Sequence, residues 1–166
     1  MFFSTFVDRK KRKINEGGNN FGPMVTHETK ILTRYGETDR MGVIFHANYI
    51  IYYEIARTEM LKDLGDYSYK AMEEDGIMMP VVEIRSNYVK PAYYDEELTV
   101  RTTLEEMPRS KITFRYEVFN QRNELINTGV AVLAFMKADT RIPSRPPARL
   151  LKLLQPHFNS VSKNKI

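Results

Sequence analysis

Ten of the sixteen residues from Tyr49 to Leu64 are apolar: Tyr49, Ile50, Ile51, Tyr52, Tyr53, Ile55, Ala56, Met60, Leu61 and Leu64. Between 49 and 56 they point nearly all round a helix, interrupted only by Glu54. A helix that is apolar on almost every side is buried, so the rest of the chain must wrap it. The pattern predicts a helix from about His46, ended at Gly65. Roughly 19 residues give a rod of about 28 Å.

The remaining pattern is largely β. Alternation from Val25 to Tyr35 predicts a first strand, and a short polar helix is expected over 68–75. A long strand is expected from Ile77 to Lys90, bounded by Pro91. Leu98 to Leu104, Ile112 to Val118 and Ile126 to Met136 read as further strands, with a hairpin turn at Asn120 to Asn123. Hairpin-length connections make the sheet antiparallel. The expected class is α+β, one long buried helix wrapped by a five-stranded antiparallel sheet. Three segments are expected: a flexible basic leader over 1–23, a folded domain over 24–140, and a C-terminal extension with a short helix over 141–166. A sheet with one helix leaves an edge to cover, which dimerisation does.

Charge excludes some functions. The net charge is +4, but residues 1–24 carry +3 and residues 157–166 carry +2, so the body between is near −1. A nucleic-acid surface needs cations clustered on the folded body, so nucleic acid is not expected as a partner. The run Arg9-Lys10-Lys11-Arg12-Lys13 is read as a solvated leader. It follows the apolar Met1 to Val7, the reverse of the order in an export signal. No run approaches the ~18 apolar residues of a membrane span. Cysteine is absent, which removes thiol nucleophiles, thiolate metal sites and disulfides. The expected compartment is the cytoplasm.

Three histidines, His27, His46 and His157, lack metal-ligand spacing, and there is no Gly-x-Gly pair for a dinucleotide or P-loop site. What remains is the loop Glu37-Thr38-Asp39-Arg40 directly before the helix. A carboxylate beside a helix start is useful chemistry. The free N–H groups there polarise a carbonyl while the carboxylate attacks it or activates water.

The pattern Tyr35-x-x-Thr38-Asp39-x-x-Gly42-Val43-x-x-His46-x-x-Tyr49-x-x-Tyr52-x-Glu54-x-Ala56-Arg57 resembles the 4-hydroxybenzoyl-CoA thioesterase family of hotdog-fold enzymes. Pro91 to Leu98 resembles that family's turn between its second and third strands. The resemblance spans about residues 25 to 140 in order and spacing. It implies a hotdog fold and an acyl-CoA thioesterase, acting on acyl-CoA or aroyl-CoA as a dimer or a dimer of dimers, without metal or organic cofactor. It makes Asp39 the catalytic carboxylate, as nucleophile or as general base, and the His46 N–H the carbonyl donor. His46 is also a candidate for a catalytic imidazole, and Gly42, Val43 and Tyr49 for substrate contact. Arg109 and Lys111 are candidates for the CoA phosphates, with Arg85, Lys90 and Arg115 behind them.

Each choice has a bland counterpart. Asp39 also suits a turn cap, His46 a structural histidine, and Tyr49 a core wall. Glu54, in an apolar helix, is the second candidate carboxylate, or a partner for Arg57 at i+3. Hotdog domains also act on carrier-protein thioesters, dehydrate acyl groups, or bind acyl-CoA without turnover, so these remain the alternatives.

Overall fold

A computed structural model describes residues 15–16, 24–65 and 67–159. The main sheet joins β1 (Asn15–Glu16), β2 (Val25–Leu32), β4 (Val81–Tyr88), β5 (Glu97–Leu104), β6 (Lys111–Phe119) and β7 (Leu125–Ala134) in the order β1-β2-β5-β6-β7-β4. Every neighbouring pair is antiparallel. Five strands carry eight or more residues, as expected, and β1 adds two. The rest of the basic leader, including the arginine and lysine run, lies outside the described residues.

Alternation does the folding work. In β5 and β6, every second side chain is buried, from Leu98, Val100 and Leu104 to Ile112, Phe114, Tyr116 and Val118. These cover one face of helix α1 (Asn48–Asp63), which is about 24 Å long over its 16 residues. α1 buries Tyr49, Tyr52, Tyr53, Ala56, Met60 and Leu61. It starts two residues later than expected, at Asn48, and it is not covered on every side: Ile51 is 52% exposed and Glu54 points outward. One sheet covers only one side of a helix, so the outer stripe stays open within a single chain.

The long strand expected from Ile77 to Lys90 is split by Met79–Pro80. Its first part, β3 (Ile77–Met78), pairs with β8 (Met136–Lys137) in a separate ribbon, and only β4 joins the main sheet. Pro80 has no N–H to continue a ladder, though its carbonyl accepts from Ala134 N at 3.0 Å. α2 (Tyr69–Glu74) is capped by the Ser68 side chain. The C-terminal segment contains α3 (Ala148–Asn159), which sinks Leu150 and Leu154 into the same core.

β7 meets α1 at a close approach. A Cβ on Gly129 would overlap the Tyr53 ring. Only a glycine lets that ring lie flat against the strand, where it stacks on Tyr116 at 4.3 Å.

Candidate functional site

The loop before α1 is built as a compact turn. Gly42 takes φ +75°, a conformation that favours glycine. Its N–H reaches Asp39 O at 3.0 Å, and Asp39 N–H reaches Val43 O at 2.9 Å. The Asp39 carboxylate accepts Met41 N–H through Oδ1 at 2.7 Å, an Asx turn. Among the described residues no other group contacts that carboxylate within hydrogen-bond range, so Oδ2 is left for solvent or ligand. The capping role weighed from the sequence is therefore real, and it occupies only half the carboxylate.

The helix start is tight. Asn48 N–H bonds Phe45 O at 2.9 Å, Tyr49 N–H bonds His46 O at 3.4 Å, and Ile50 N–H bonds Ala47 O at 3.2 Å. Phe45 N–H is taken by Glu37 O and Ile44 N–H by Ala92 O, both at 2.8 Å. The N–H groups of His46 and Ala47 have no acceptor among the described residues. They are the orphan donors of the helix start, and a preorganised pair of this kind stabilises a developing oxyanion.

Asp39, Val43, His46 and Tyr49 line one cleft of about 300 Å³, together with Met41, Ile44, Tyr88, Val89, Lys90 and Pro91. The His46 ring is exposed, packs against Phe45 at 4.2 Å and meets the edge of Tyr88 at 6.3 Å. Its nitrogens bond no protein group among the described residues. Tyr49 is 2% exposed and meets Tyr88 edge to face at 5.4 Å. Burial pushes its phenol up to about 12, so it stays protonated at neutral pH.

Three sequence candidates lie elsewhere. Glu54 is two-thirds exposed, 4.0 Å from Arg57, and outside the cleft. Arg57 itself is buried and donates through Nε to Tyr69 OH at 2.8 Å. Arg109 and Lys111 are exposed on the β5–β6 hairpin. Lys111 sits opposite Ala134, whereas Tyr88 of the cleft sits opposite Asn127. Seven residues of strand separate these points by about 23 Å. Arg85, Lys90 and Arg115 are held by Glu83, Glu124 and Glu105 at 2.8, 2.8 and 2.6 Å.

The sequence reading missed Tyr88, whose hydroxyl donates to His46 O at 3.0 Å and ties the sheet edge to the helix start. Its signal was the alternation Ile84, Ser86, Tyr88 on one face of the long strand. It also missed the anchoring of Glu37, described below. Among the described residues no group of three or more His, Asp and Glu side chains is placed to hold a metal ion. No helix there is long and apolar enough to cross a membrane.

A long helix crossing an antiparallel sheet, with a carboxylate loop at its start, is the hotdog arrangement. The chain belongs to the thioesterase-like superfamily, whose family model matches residues 33–154. It is 40% identical over 102 residues to the putative acyl-CoA thioesterase YneP of Bacillus subtilis, covering 61% of this chain and 73% of that protein. It is 33% identical over 93 residues to the acyl-CoA thioester hydrolase YbgC of Escherichia coli, covering 56% and 69%. Among solved structures, the DHNA-CoA thioesterase of Staphylococcus aureus is 42% identical with a TM-score of 0.69, over 72% of this chain and 80% of that one. A 4-hydroxybenzoyl-CoA thioesterase complexed with 4-hydroxybenzoyl-CoA shares the fold at 20% identity, with a TM-score of 0.70 over 77% of this chain and 97% of that one.

Proposed function

We propose that this protein hydrolyses acyl-CoA or aroyl-CoA thioesters to the free acid and CoA, with Asp39 as the catalytic carboxylate. The observation that carries the reading is the cleft itself. It joins a carboxylate with one free oxygen to the helix start that carries two unclaimed N–H groups. The thioester carbonyl oxygen accepts from the His46 N–H, with Ala47 beside it, which polarises the carbon. Asp39 either attacks that carbon or takes a proton from the water that does. The C–S bond then breaks and the thiolate leaves with the electron pair, taking its proton from solvent or from the His46 imidazole. Where Asp39 is the nucleophile, water then cleaves the acyl–Asp39 anhydride, releasing the acid and restoring the carboxylate. A thiol is a good leaving group, so the chemistry asks for no metal or organic cofactor.

The same reading makes the enzyme a dimer or a dimer of dimers. β4 is an edge strand without one buried residue, and Val81, Val82, Tyr88 and Val89 are exposed on it or just beyond it. Edge pairing of two β4 strands, antiparallel, places the Val81 end of one copy beside the Tyr88 end of the other. It carries each β5–β6 hairpin, with Arg109 and Lys111, toward the other copy's cleft. That arrangement gives these cations a phosphate-binding role they lack within one chain. A cytoplasmic location fits the absence of cysteine.

The test is thiol release from short, long and aromatic acyl-CoAs, with wild type and Asp39→Asn side by side and the oligomer checked by sedimentation. Turnover that disappears in folded Asp39→Asn supports the reading. Turnover that survives it takes the catalytic role from Asp39, and no cleavage of any CoA thioester removes the reading.

A further inference from the structure

Glu37 lies two residues before Asp39, and both its backbone and its side chain bond into α1. Its carboxylate Oε2 accepts the Tyr52 hydroxyl at 2.7 Å and the Arg34 N–H at 2.9 Å. Its carbonyl oxygen accepts the Phe45 N–H at 2.8 Å and the Asn48 side-chain N–H at 2.8 Å. Both lone pairs of that carbonyl are thus engaged. The Tyr52 side of the latch is 1% exposed, and the Glu37 side chain 18%. Burial, and then the Glu37 carboxylate, keep the Tyr52 phenol protonated far above its ordinary range.

The placement has a consequence for the chemistry. One arm of Glu37 fixes the segment leading into Asp39. The other fixes Phe45, the residue before the His46 N–H. We infer that Glu37, held by Tyr52 and Asn48, is a positioning residue that sets the distance between the catalytic carboxylate and the oxyanion donors. The inference rests on the thioesterase reading and adds to it a residue outside the lining of the cleft. Its other oxygen lies 3.9 Å from the exposed Arg34 guanidinium, but the two hydrogen bonds of Oε2 do not require the charge: a neutral amide oxygen accepts the same two donors. Catalytic groups displaced by about 1 Å cost up to roughly a hundredfold in rate, so the latch acts on turnover rather than on binding.

The experiment compares wild type, Tyr52→Phe, Glu37→Ala and Glu37→Gln by two readouts. In amide hydrogen exchange, residues 37–45 should exchange roughly tenfold faster in Tyr52→Phe and Glu37→Ala, with residues 56–61 unchanged. In steady-state hydrolysis, both variants should lose about tenfold or more in kcat with KM within about twofold. Glu37→Gln should stay within about threefold of wild type in both readouts. Unchanged exchange in Tyr52→Phe and Glu37→Ala overturns the latch, and so does Glu37→Gln falling as far as Glu37→Ala, which would make the charge the agent. If exchange rises while kcat holds, the latch is structural and the positioning role is lost. A wild type that cleaves no CoA thioester removes the reaction instead, and the exchange arm still decides the latch.

Discussion

The mouth of α1 and the group around Tyr53 treat polar groups in different ways. At the helix start, hydrogen-bond capacity is left over among the described residues: one oxygen of Asp39, the N–H groups of His46 and Ala47, and both nitrogens of the His46 ring. One turn further in, Tyr53, Asn127 and Ser86 satisfy one another in a closed ring. The Tyr53 hydroxyl donates to Asn127 Oδ1, Asn127 Nδ2 donates to Ser86 Oγ at 3.0 Å, and Ser86 closes the ring on Tyr53 at 2.9 Å. Each member donates once and accepts once within this ring. The buried group ties helix, β4 and β7 together. The open mouth, mounted on that rigid base, is where a substrate can complete the unmade bonds. Spare valence that opens into a cleft, in a fixed frame, marks the candidate site; the unpartnered Arg57 Nη1, Thr102 Oγ1 and Tyr116 hydroxyl of the scaffold are buried.

That contrast can be broken by mutation. Asp39→Asn should lower turnover at least about a hundredfold while shifting the melting temperature little, because the Met41 N–H bond survives in the amide. Purified variants assayed by thiol release and scanned by calorimetry check both halves of the claim. Gly129→Val should do the reverse: overpacking against Tyr53 costs about 2 kcal/mol in denaturant unfolding, with Asp39 chemistry untouched per folded molecule. Asn127→Ala opens the buried ring and leaves Tyr53 and Ser86 short of a partner, which costs about 1–2 kcal/mol. An Asn127→Ala protein as stable as wild type would show that the ring is incidental.

A smaller effect belongs to high pH. Burial raises the Tyr53 phenol to about 12 from an ordinary 10.0. Its folded value lies above its unfolded one, so its contribution is complete below pH 10 and is lost as pH rises toward 12. Tyr53→Phe should therefore lose less stability than wild type between pH 10 and 12 in denaturant titrations. The smallest effect belongs to the exposed rim. Asn120, Lys90 and Arg122 hold the Glu124 carboxyl down to about 2 from 4.5. A lowered carboxyl stabilises above its unfolded value and fades as pH falls toward 2. The melting-temperature difference between wild type and Glu124→Gln should shrink across that window.

Much of this was legible in the chain. Period-two alternation in Leu98–Leu104 and Ile112–Val118 located the central strands, because a half-buried strand must alternate. The apolar run at 49–64 located the helix, and Asp39 stood out as the carboxylate beside it. Pro80 splitting the long strand was missed, since the rest of 77–90 kept a strand-like composition across it. Glu37 looked like one more loop charge. Its role depends on Tyr52, fifteen residues on, and no local pattern couples the two. The outward stripe of Ile51 and Glu54 was read as buried, because periodicity counts apolar positions and not the layers available to cover them.

The sequence by itself determined the elements, the antiparallel sheet, the helix it must wrap and the carboxylate at the helix start, since these follow from local pattern and short connections. The tertiary structure decided which polar groups are satisfied and which are left open. It closed the Tyr53 ring, anchored Glu37, set Glu54 aside, and placed Arg109 and Lys111 far from the cleft of their own chain. Those outcomes depend on contacts between residues distant in sequence, and hydrogen-bond satisfaction is a property of such contacts alone.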